Sequence, residues 1–416
     1  MKFSKLSQLF LVSSLGLLVA ALLTACQLVT IDYVFVANSA GSGPSSAGQI
    51  GIYALDNASG AIRPAATTVQ TGTSGPVAMA VSSDYAHLYV ANTGNNSVIH
   101  FTVASDGTLT KADTVTLASA PVSLVVNAAN TYLYVVSGTS SATLTEYALS
   151  AGVIGSATST QQLRIGSDTV LPTGVFALAN NNAVYVSAYD QSAYNPGCTP
   201  TPPATSCITS NANPGWVFAF TVGTSGALNP SANSPYAAGI KPSAVTADPT
   251  NRFVYVTDYA SSELIGYAIT ACNAPVSAAG CQLSFLINGP FKTGYQPSAL
   301  AIDPRGKFIY VANALDNSVS AFNIDLTTGT PAAAVNPTGS ATNSTDGRPV
   351  ALAIDPAIGR FVFTANHDGN SVSGFVLDPT AGTLGQTQAT PYPAGYQPTA
   401  IVMVPHGNHS VQSVTP

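Results

Sequence analysis

Charged side chains are scarce in this chain of 416 residues, because Asp, Glu, Lys and Arg together make up only 7% of it. Twelve basic residues stand against 18 acidic ones, so the sequence cannot build the basic surface that nucleic-acid binding needs. Long apolar runs are also missing beyond the N-terminus. The sequence therefore excludes both a nucleic-acid-binding protein and a polytopic membrane protein.

Apolar residues are nonetheless abundant, at 46% of the chain, which is enough for a folded core and excludes bulk disorder. Thirty-five Gly and 28 Pro accompany many Val, Thr, Ser and Tyr. Val, Thr and Tyr favour strands, whereas Gly, Pro and Ser favour turns. This composition predicts an all-β protein with many short connections.

The N-terminus is typical of a bacterial lipoprotein signal. Two lysines precede an apolar stretch, Leu9–Leu23, which runs into Leu-Thr-Ala-Cys26. We predict that residues 1–25 are a signal peptide and that Cys26 carries the lipid that anchors the chain to the membrane. Gln27, in place of an Asp, indicates the outer membrane, on either its periplasmic or its external side. The alternative is an ordinary signal peptide followed by an incidental cysteine.

The cysteine count fits an extracytoplasmic protein. Besides Cys26, the chain has four cysteines, in two pairs with the spacing C-x8-C, each within a segment rich in Pro, Ala and Ser. We predict the disulfides Cys198–Cys207 and Cys272–Cys281, which suit an oxidising compartment. Neither pair has a nearby histidine or C-x2-C spacing, so the pattern does not favour a metal site, and we predict no metal and no cofactor.

Two short phrases recur along the chain. An aromatic residue sits second in seven similar segments: Val34–Asn38, Leu88–Asn92, Leu133–Ser137, Val184–Ala188, Val254–Asp258, Ile309–Asn313 and Val362–Asn366. A second phrase begins with a proline, at Pro76, Pro121, Pro172, Pro242, Pro297, Pro349 and Pro398. The proline precedes the aromatic residue by 13 positions in five units and by 14 in another. Such a constant interval predicts a rigid hairpin of two strands.

Two further strands complete each unit, so the sequence predicts an all-β, seven-bladed β-propeller of four-stranded antiparallel blades. The repeats are offset, because the last unit has only a first strand and the first unit lacks one. We therefore expect Thr399–Val404 to pair into the blade that holds Tyr33–Val69 and to close the ring. The propeller would span residues 33–404, between a tether (26–32) and a flexible tail (405–416). The alternative, an open solenoid, would expose apolar faces at both ends.

These phrases resemble a known family. Tyr89–Asn92 and Tyr255–Asp258 are similar to the YVTN repeat of bacterial surface propellers, and Pro297–Asn313 resembles the seven-bladed lactonase family, which includes enzymes similar to 6-phosphogluconolactonase. The resemblance implies a site at one mouth of the central channel. The family's enzymes carry histidines near the starts of their inner strands, and this sequence has none there. Among its acidic positions, only Asp258 fits an Asp of the family pattern.

The candidate site lies where inner strands begin and second strands end. In the last three blades and the closing strand, these positions become polar. The candidate ligand-binding residues are Lys241, Gln296, Arg348 and Gln397, with Tyr295 and Tyr396 beside them. The candidate catalytic residues are Asp258 to orient a water, His367 as acid or base, and Arg348 to hold a carboxylate or phosphate. The alternative is that all of these are solvated loop residues.

Other candidates point to structural roles. We expect His87, His100, His406 and His409 to be structural or incidental, and Trp216 to pack beside a strand or to stack on a ligand. Two functions remain open. One is a lipid-anchored monomeric module that binds a protein or a small anionic, sugar-like ligand. The other is a lactonase that opens a sugar-derived lactone at the channel mouth.

Overall fold

The computed structural model describes residues 29–40, 47–72, 75–139, 141–194, 214–270, 272 and 280–406. All regular structure in these residues is β-strand. The strands form seven antiparallel sheets arranged as the blades of a propeller, which confirms the predicted fold. In the described part of the chain, no helix is long and apolar enough to span a membrane.

Each blade has an inner, a second, a third and an outer strand. Blade 1 joins the start of the chain to its end, and blades 2 to 7 follow in sequence. From blade 1 to blade 7, the inner strands are Tyr396–Pro405, Pro76–Val81, Pro121–Val126, Val170–Ala177, Pro242–Ala247, Pro297–Ile302 and Pro349–Ile354. The second strands are Thr30–Ala40, His87–Asn92, Tyr132–Ser137, Ala183–Asp190, Phe253–Asp258, Phe308–Asn313 and Phe361–Asn366. The third strands are Gln49–Asp56, Ser97–Val103, Thr143–Ser150, Gly215–Val222, Glu263–Thr270, Ser318–Ile324 and Ser371–Leu377.

The outer strands are the least regular, as expected of exposed edges. They are continuous in blades 2 and 3, as Leu109–Thr116 and Val153–Gln162. In the other five blades the outer strand is split into two short pieces that both pair with the third strand. In chain order these pieces are Ile62–Pro64 and Val69–Gln70, Leu228–Pro230 and Tyr236–Ala237, Gln282–Phe285 and Phe291–Lys292, Pro331–Ala333 and Thr342–Ser344, and Leu384–Gln386 and Tyr392–Pro393.

The chain ends close the ring as predicted. Tyr396–Pro405 pairs with Thr30–Ala40, and Val36 lies opposite Ile401. The inner strand of every blade also contacts the inner strands of both neighbouring blades, all the way round. Both paired strands extend beyond the predicted limits, because the first begins at Thr30 and the last ends at Pro405. Closure by strand pairing leaves no unpaired inner edge at this joint.

The core lies between adjacent blades, which explains why the second strands are apolar on both faces. Val34 and Val36 pack with Phe361 of blade 7. Phe35, between them in sequence, packs with Val90 of blade 2. Alternate side chains of a strand point to opposite faces. One strand therefore contributes to two inter-blade cores.

The recurring tyrosines hydrogen-bond one blade to the next. The hydroxyls of Tyr89, Tyr185, Tyr255 and Tyr310 are buried and donate to backbone carbonyls of the following blade. Their acceptors are Gly152 at 2.7 Å, Cys281 at 3.0 Å, Gly329 at 2.6 Å and Gly382 at 2.9 Å, respectively. A buried hydroxyl without a partner is costly, so each tyrosine needs this acceptor. At these four joints, the aromatic position of the repeat therefore ties one blade to the next.

The acceptor position is a turn that favours glycine. Gly329 and Gly382 have φ values of +74° and +72°. A Cβ on Gly382 would lie 2.4 Å from the ring of Phe308 in the preceding blade. In blade 5 the same place is taken by Cys281, which forms the predicted disulfide with Cys272. The predicted partner pair Cys198–Cys207 and the lipidation candidate Cys26 lie outside the described residues.

Candidate functional site

One end of the ring, here called the upper mouth, carries the segments that lead into inner strands and those that follow second strands. In each of blades 5 to 7, the residue before the proline accepts a hydrogen bond from the backbone amide just after the second strand. The three bonds join Tyr259 to Lys241, Ala314 to Gln296 and His367 to Arg348, each at 2.9 Å. The predicted convergence of these two sets of residues is therefore built into each blade.

Lys241 lies in a cage of aromatic rings between blades 4 and 5. Its Nζ is 4.8 Å from the ring centroids of Tyr194 and Tyr259 and 5.3 Å from that of Tyr189. We call these three residues the tyrosine cage. At these distances the π faces attract an ammonium group. Lys241 forms no ion pair with any carboxylate in the described part of the chain.

The lysine is half-buried, and burial lowers the pKa of its ammonium group from the ordinary value. The segment 195–213, which follows the cage residue Tyr194, contains no Asp or Glu. No acidic partner for Lys241 can therefore come from this neighbouring segment. In the described part of the chain, the cage therefore holds a cation that no carboxylate neutralises.

Asp258 supports the segment that carries this lysine. Its side chain is fully buried, and its carboxylate accepts hydrogen bonds from the backbone amides of Ile240 at 2.7 Å, Lys241 at 2.9 Å and Ala260 at 3.1 Å. Burial raises the pKa of Asp258, and these amide bonds oppose the rise. A Cβ at Gly239 would lie 2.1 Å from this carboxylate, so only glycine fits there. This geometry favours a structural role for Asp258, and its catalytic role stays a prediction.

Tyr259 connects the lysine to the neighbouring blade. Its hydroxyl donates to Oε1 of Gln296 at 2.6 Å. Burial raises the pKa of Tyr259, whereas the charge of Arg348 acts to lower it. Lys241 and Gln296, two of the predicted residues, thus contact the same tyrosine, which was not predicted from the sequence.

Arg348 and His367 share a carboxylate in blade 7. Nδ1 of His367 lies 2.6 Å from Oδ1 of Asp368, and the Arg348 guanidinium lies 3.5 Å from the same oxygen. The hydrogen bond with His367 lowers the pKa of Asp368, and Arg348 adds to this effect. Asp368 and Arg348 are about half exposed, at 56% and 50%, whereas His367 is 21% exposed. A carboxylate that holds one imidazole nitrogen leaves the other nitrogen for acid–base chemistry.

Three of the predicted residues adopt the left-handed backbone conformation: Gln296, Arg348 and Gln397 have φ values of 56°, 54° and 49°. The backbone amide of each residue donates a hydrogen bond to a side-chain oxygen of the preceding blade, which stabilises this conformation. The acceptors are Ser262 at 3.4 Å, Asn317 at 2.7 Å and Asn370 at 2.8 Å, respectively.

Gln397, Tyr396 and Tyr295 lie at the same end of the ring, but their recorded contacts are structural. The carbonyl of Gln397 accepts a hydrogen bond from Ser39 at 3.1 Å, and Tyr396 is half-buried in the closing strand. Tyr295 is 46% exposed, and its amide donates to Asp316 at 2.6 Å. Their assignment as ligand-binding residues stays a prediction.

The three residues of the tyrosine cage, Tyr189, Tyr194 and Tyr259, were not predicted from the sequence. Tyr259 directly follows Asp258, and the other two flank the end of the second strand of blade 4. The sequence did contain a signal for the cage, because the second strands of the adjacent blades 4 and 5 both end beside a tyrosine. Within the described ranges, no three His, Cys, Asp or Glu side chains are grouped to hold a metal ion.

A polar cavity of about 230 Å³ lies elsewhere, between blades 3 and 4. Arg164 and Asp168 contribute to its lining, together with Ser141 and Thr169, and no residue of the tyrosine cage does. Its lining is largely exposed. We place the candidate site at the tyrosine cage, because charge and aromatic rings converge there.

Comparison with known families identifies the fold. The lactonase family of seven-bladed β-propellers matches residues 47–165 and 217–403, which is most of the chain. The chain belongs to this lactonase family. No curated protein sequence matches it.

Solved structures of similar shape agree with the family. The periplasmic gluconolactonase of Pseudomonas aeruginosa is 18% identical, covers 91% of this chain and 100% of its own, and superimposes with a TM-score of 0.70. A putative 6-phosphogluconolactonase of Bacteroides uniformis is 17% identical, covers 90% and 100%, and has a TM-score of 0.68. A protein of Lactobacillus plantarum is 17% identical, covers 90% of this chain and 100% of its own, and has a TM-score of 0.67. At such low identity these lactonase-family structures show the fold alone.

Proposed function

We propose that this lactonase-family propeller binds a small hydrophilic anion, of the sugar-acid class, at the upper mouth. The observation that carries the proposal is the caged ammonium of Lys241, which has no carboxylate partner in the described part of the chain. The cage restricts the lysine side chain before a ligand arrives. Binding therefore costs less conformational entropy than it would with a free lysine.

The neighbouring groups define the chemical class. Arg348, which precedes the inner-strand proline of blade 7 at the same mouth, supplies a second cation, and a guanidinium can hold a carboxylate or phosphate with two hydrogen bonds. Gln296 and the tyrosine hydroxyls offer donors and acceptors that suit sugar hydroxyl groups. An anion that also carries several hydroxyls uses both kinds of group.

Calorimetric titration of the purified protein with gluconate and with 6-phosphogluconate tests this proposal. Lys241→Met keeps the length of the side chain and removes its charge, so we expect the Kd to rise about tenfold or more. Lys292→Met is the matched control, because Lys292 lies in the same blade, is 77% exposed and pairs with Glu263. The proposal fails if neither anion binds, or if both variants bind as well as the natural protein.

A second candidate function is hydrolysis of a sugar-derived lactone, and the His367–Asp368 contact beside Arg348 favours it. In this proposal the imidazole nitrogen that does not face Asp368 takes a proton from the attacking water. Arg348 stabilises the negative charge that develops on the carbonyl oxygen. Membership of the lactonase family and the similar fold of a gluconolactonase support this hydrolytic function about as well as they support the binding function.

The rate of glucono-δ-lactone opening above the spontaneous rate tests this second function. His367→Gln and Arg348→Ala should each lower that rate by about 10²-fold or more. His406→Gln serves as a control, since His406 contacts Ser105 near the closing strand. A rate equal to the spontaneous one would remove this function for that lactone while leaving the binding proposal standing.

We further propose that the protein is anchored to the outer membrane by a lipid on Cys26. The lipobox-like sequence supports the anchor, and the Cys272–Cys281 disulfide suits an oxidising compartment outside the cytoplasm. Incorporation of a labelled fatty acid should be lost in Cys26→Ser. Equal incorporation in both proteins would refute the anchor.

A further inference from the structure

Two histidines that the sequence analysis expected to be structural or incidental meet at the joint between blades 2 and 3. Nδ1 of His87 lies 2.9 Å from Nε2 of His100, and Nδ1 of His100 is hydrogen-bonded to Oδ1 of Asp113. The Tyr89 ring stacks on His100 with its centroid 5.0 Å away. His100 is almost completely buried, at 1% exposure.

This cluster also holds the turn at residues 152–154 of blade 3. Oδ2 of Asp113 accepts the amide hydrogen of Ile154 at 2.9 Å, and the Tyr89 hydroxyl donates to the carbonyl of Gly152 at 2.7 Å. The His87 ring packs so closely that a Cβ on Gly152 would lie 2.2 Å from it. Two hydrogen bonds and one ring contact therefore join the blades through this cluster.

The other blades place different residues at these positions. Residues that occupy the place of His87 against the next blade's turn glycine are Phe361, Tyr33, Tyr132, Phe253 and Phe308. Residues paired with the repeat aromatic, as His100 is with Tyr89, are Ile52, Glu146, Ala219, Gly266, Ala321 and Gly374. Both positions are compared at six joints, because blade 5 has Cys281 in place of the turn glycine. Two hydrogen-bonded imidazoles occur at only one of the six, so packing does not require them.

A hydrogen bond between two imidazoles needs a free lone pair on one nitrogen. When His100 donates to Asp113 and is neutral, its Nε2 accepts the Nδ1 hydrogen of His87. If both rings carry two protons, two N–H groups face each other across 2.9 Å and the bond is lost. Protonation of the pair therefore removes one of the contacts that hold the joint.

The charges around the pair come mainly from blade 2. Burial lowers the pKa of His100, while its hydrogen bond with Asp113 opposes this shift. Burial acts to raise the pKa of Asp84, but its hydrogen bonds with Ser82 and Ala86 and the nearby His87 bring it below its usual range. Lys111 is exposed on the outer strand. From blade 3, the turn at 152–154 presents no charged side chain.

The direction of the pH effect follows from the lowered pKa of His100. An unfolded or detached histidine, with a pKa near 6.5, takes up a proton before the buried one does. The contribution of the neutral ring to stability is therefore complete above about pH 6.5 and is lost as the pH falls below it.

We propose that His87 and His100 form a proton-sensitive joint, which holds blade 2 to blade 3 at neutral pH and loosens in acid. Within the described residues, no other joint has a pair of histidines at these two positions, and blade 3 places Glu146 at the second of them. The inference does not depend on the ligand site at the upper mouth.

Hydrogen exchange of the natural protein at pH 7.5 and pH 5.5 tests the proposal, with each rate divided by its intrinsic rate. One linked proton allows up to a tenfold change per pH unit. We expect the protection of the Ile154 amide to fall several-fold, with about tenfold as the upper limit for one proton whose detached pKa is near 6.5. Leu384, two residues after the turn glycine of blade 7, serves as the reference and should change far less.

The double variant His87→Tyr/His100→Ile reproduces the Tyr33 and Ile52 pair of blade 1, and should make the protection of Ile154 independent of pH. An unchanged pH response in this variant would overturn the proposal. A second measurement does not need the variant. Nitrogen NMR of the natural protein should show coupling across the His87–His100 hydrogen bond at pH 7.5, and the absence of this coupling would equally refute the inference.

Discussion

Asp32 gives the sharpest prediction about stability, because a carboxyl group is buried where the chain ends meet. It lies in the second strand of blade 1, opposite Pro405 of the closing strand, and is fully buried. Burial, followed by the nearby charge of Asp355, raises its pKa from 3.8 to about 9. Asp355 itself accepts four backbone amide hydrogens, from residues 358 to 361. Asp32 is therefore protonated in the folded protein at neutral pH.

This raised pKa makes folding less favourable as the pH rises. The unfolded chain releases the proton of Asp32 near pH 3.8, whereas the folded chain keeps it until about pH 9. Each pH unit above 3.8 therefore costs about 1.4 kcal/mol, which gives at most about 4 kcal/mol at pH 7. Asp32→Asn has a similar shape and no proton to lose. It should raise the free energy of unfolding by up to that amount at pH 7.

Urea unfolding of both proteins from pH 4 to pH 8 measures the difference. The gain should be near zero at pH 4 and grow with pH. Asp355→Asn is the matched control, and it should destabilise the protein because the neutral amide is a poorer acceptor for four amide hydrogens. A constant difference across this range, or a loss of stability in Asp32→Asn at pH 7, would refute the reasoning.

Three further predictions concern the joints between blades. Tyr310→Phe removes the hydroxyl that reaches Gly382 and should cost about 1 kcal/mol in urea unfolding; no loss would show that this bond adds nothing. Gly382→Ala should cost more than 1 kcal/mol, since its φ is +72° and the added Cβ meets Phe308, and an unchanged midpoint would contradict the close contact. Replacing Cys272 and Cys281 by Ser should cost about 2–3 kcal/mol, and equal stability with and without reductant in the natural protein would speak against it.

The fold followed from the sequence because every blade repeats the same physical solution. One hairpin requires a proline at or near the start of its inner strand, a buried aromatic residue in its second strand and a fixed interval between the two. The pairing of the last strand with the first blade followed from counting the strands at the two chain ends, whereas the register, with Val36 opposite Ile401, was not predicted. The split of most outer strands was not predicted, because an exposed edge places little demand on sequence.

The site was predicted only in part, because its residues come from different blades. The positions of Lys241 and Arg348 followed from the repeat, since each precedes an inner-strand proline. Tyr189 and Tyr194 do not belong to the repeat, and their approach to Lys241 depends on how blade 4 lies beside blade 5. The burial of Asp258 depends on the backbone path of the segment at Gly239 and Ile240. No sequence pattern predicted that path.

The seven blades also serve as controls for one another. Where most blades agree, as at the tyrosines that bind the next turn, a residue is explained by the ring itself. Where one blade carries a residue that the other blades lack at that position, packing does not account for the residue, because the other blades pack without it. Lys241 with its tyrosine cage and His87 with His100 are two such departures, and they lie at different joints of the ring. This separation is why acid can loosen one joint without removing the cation that we assign to the ligand.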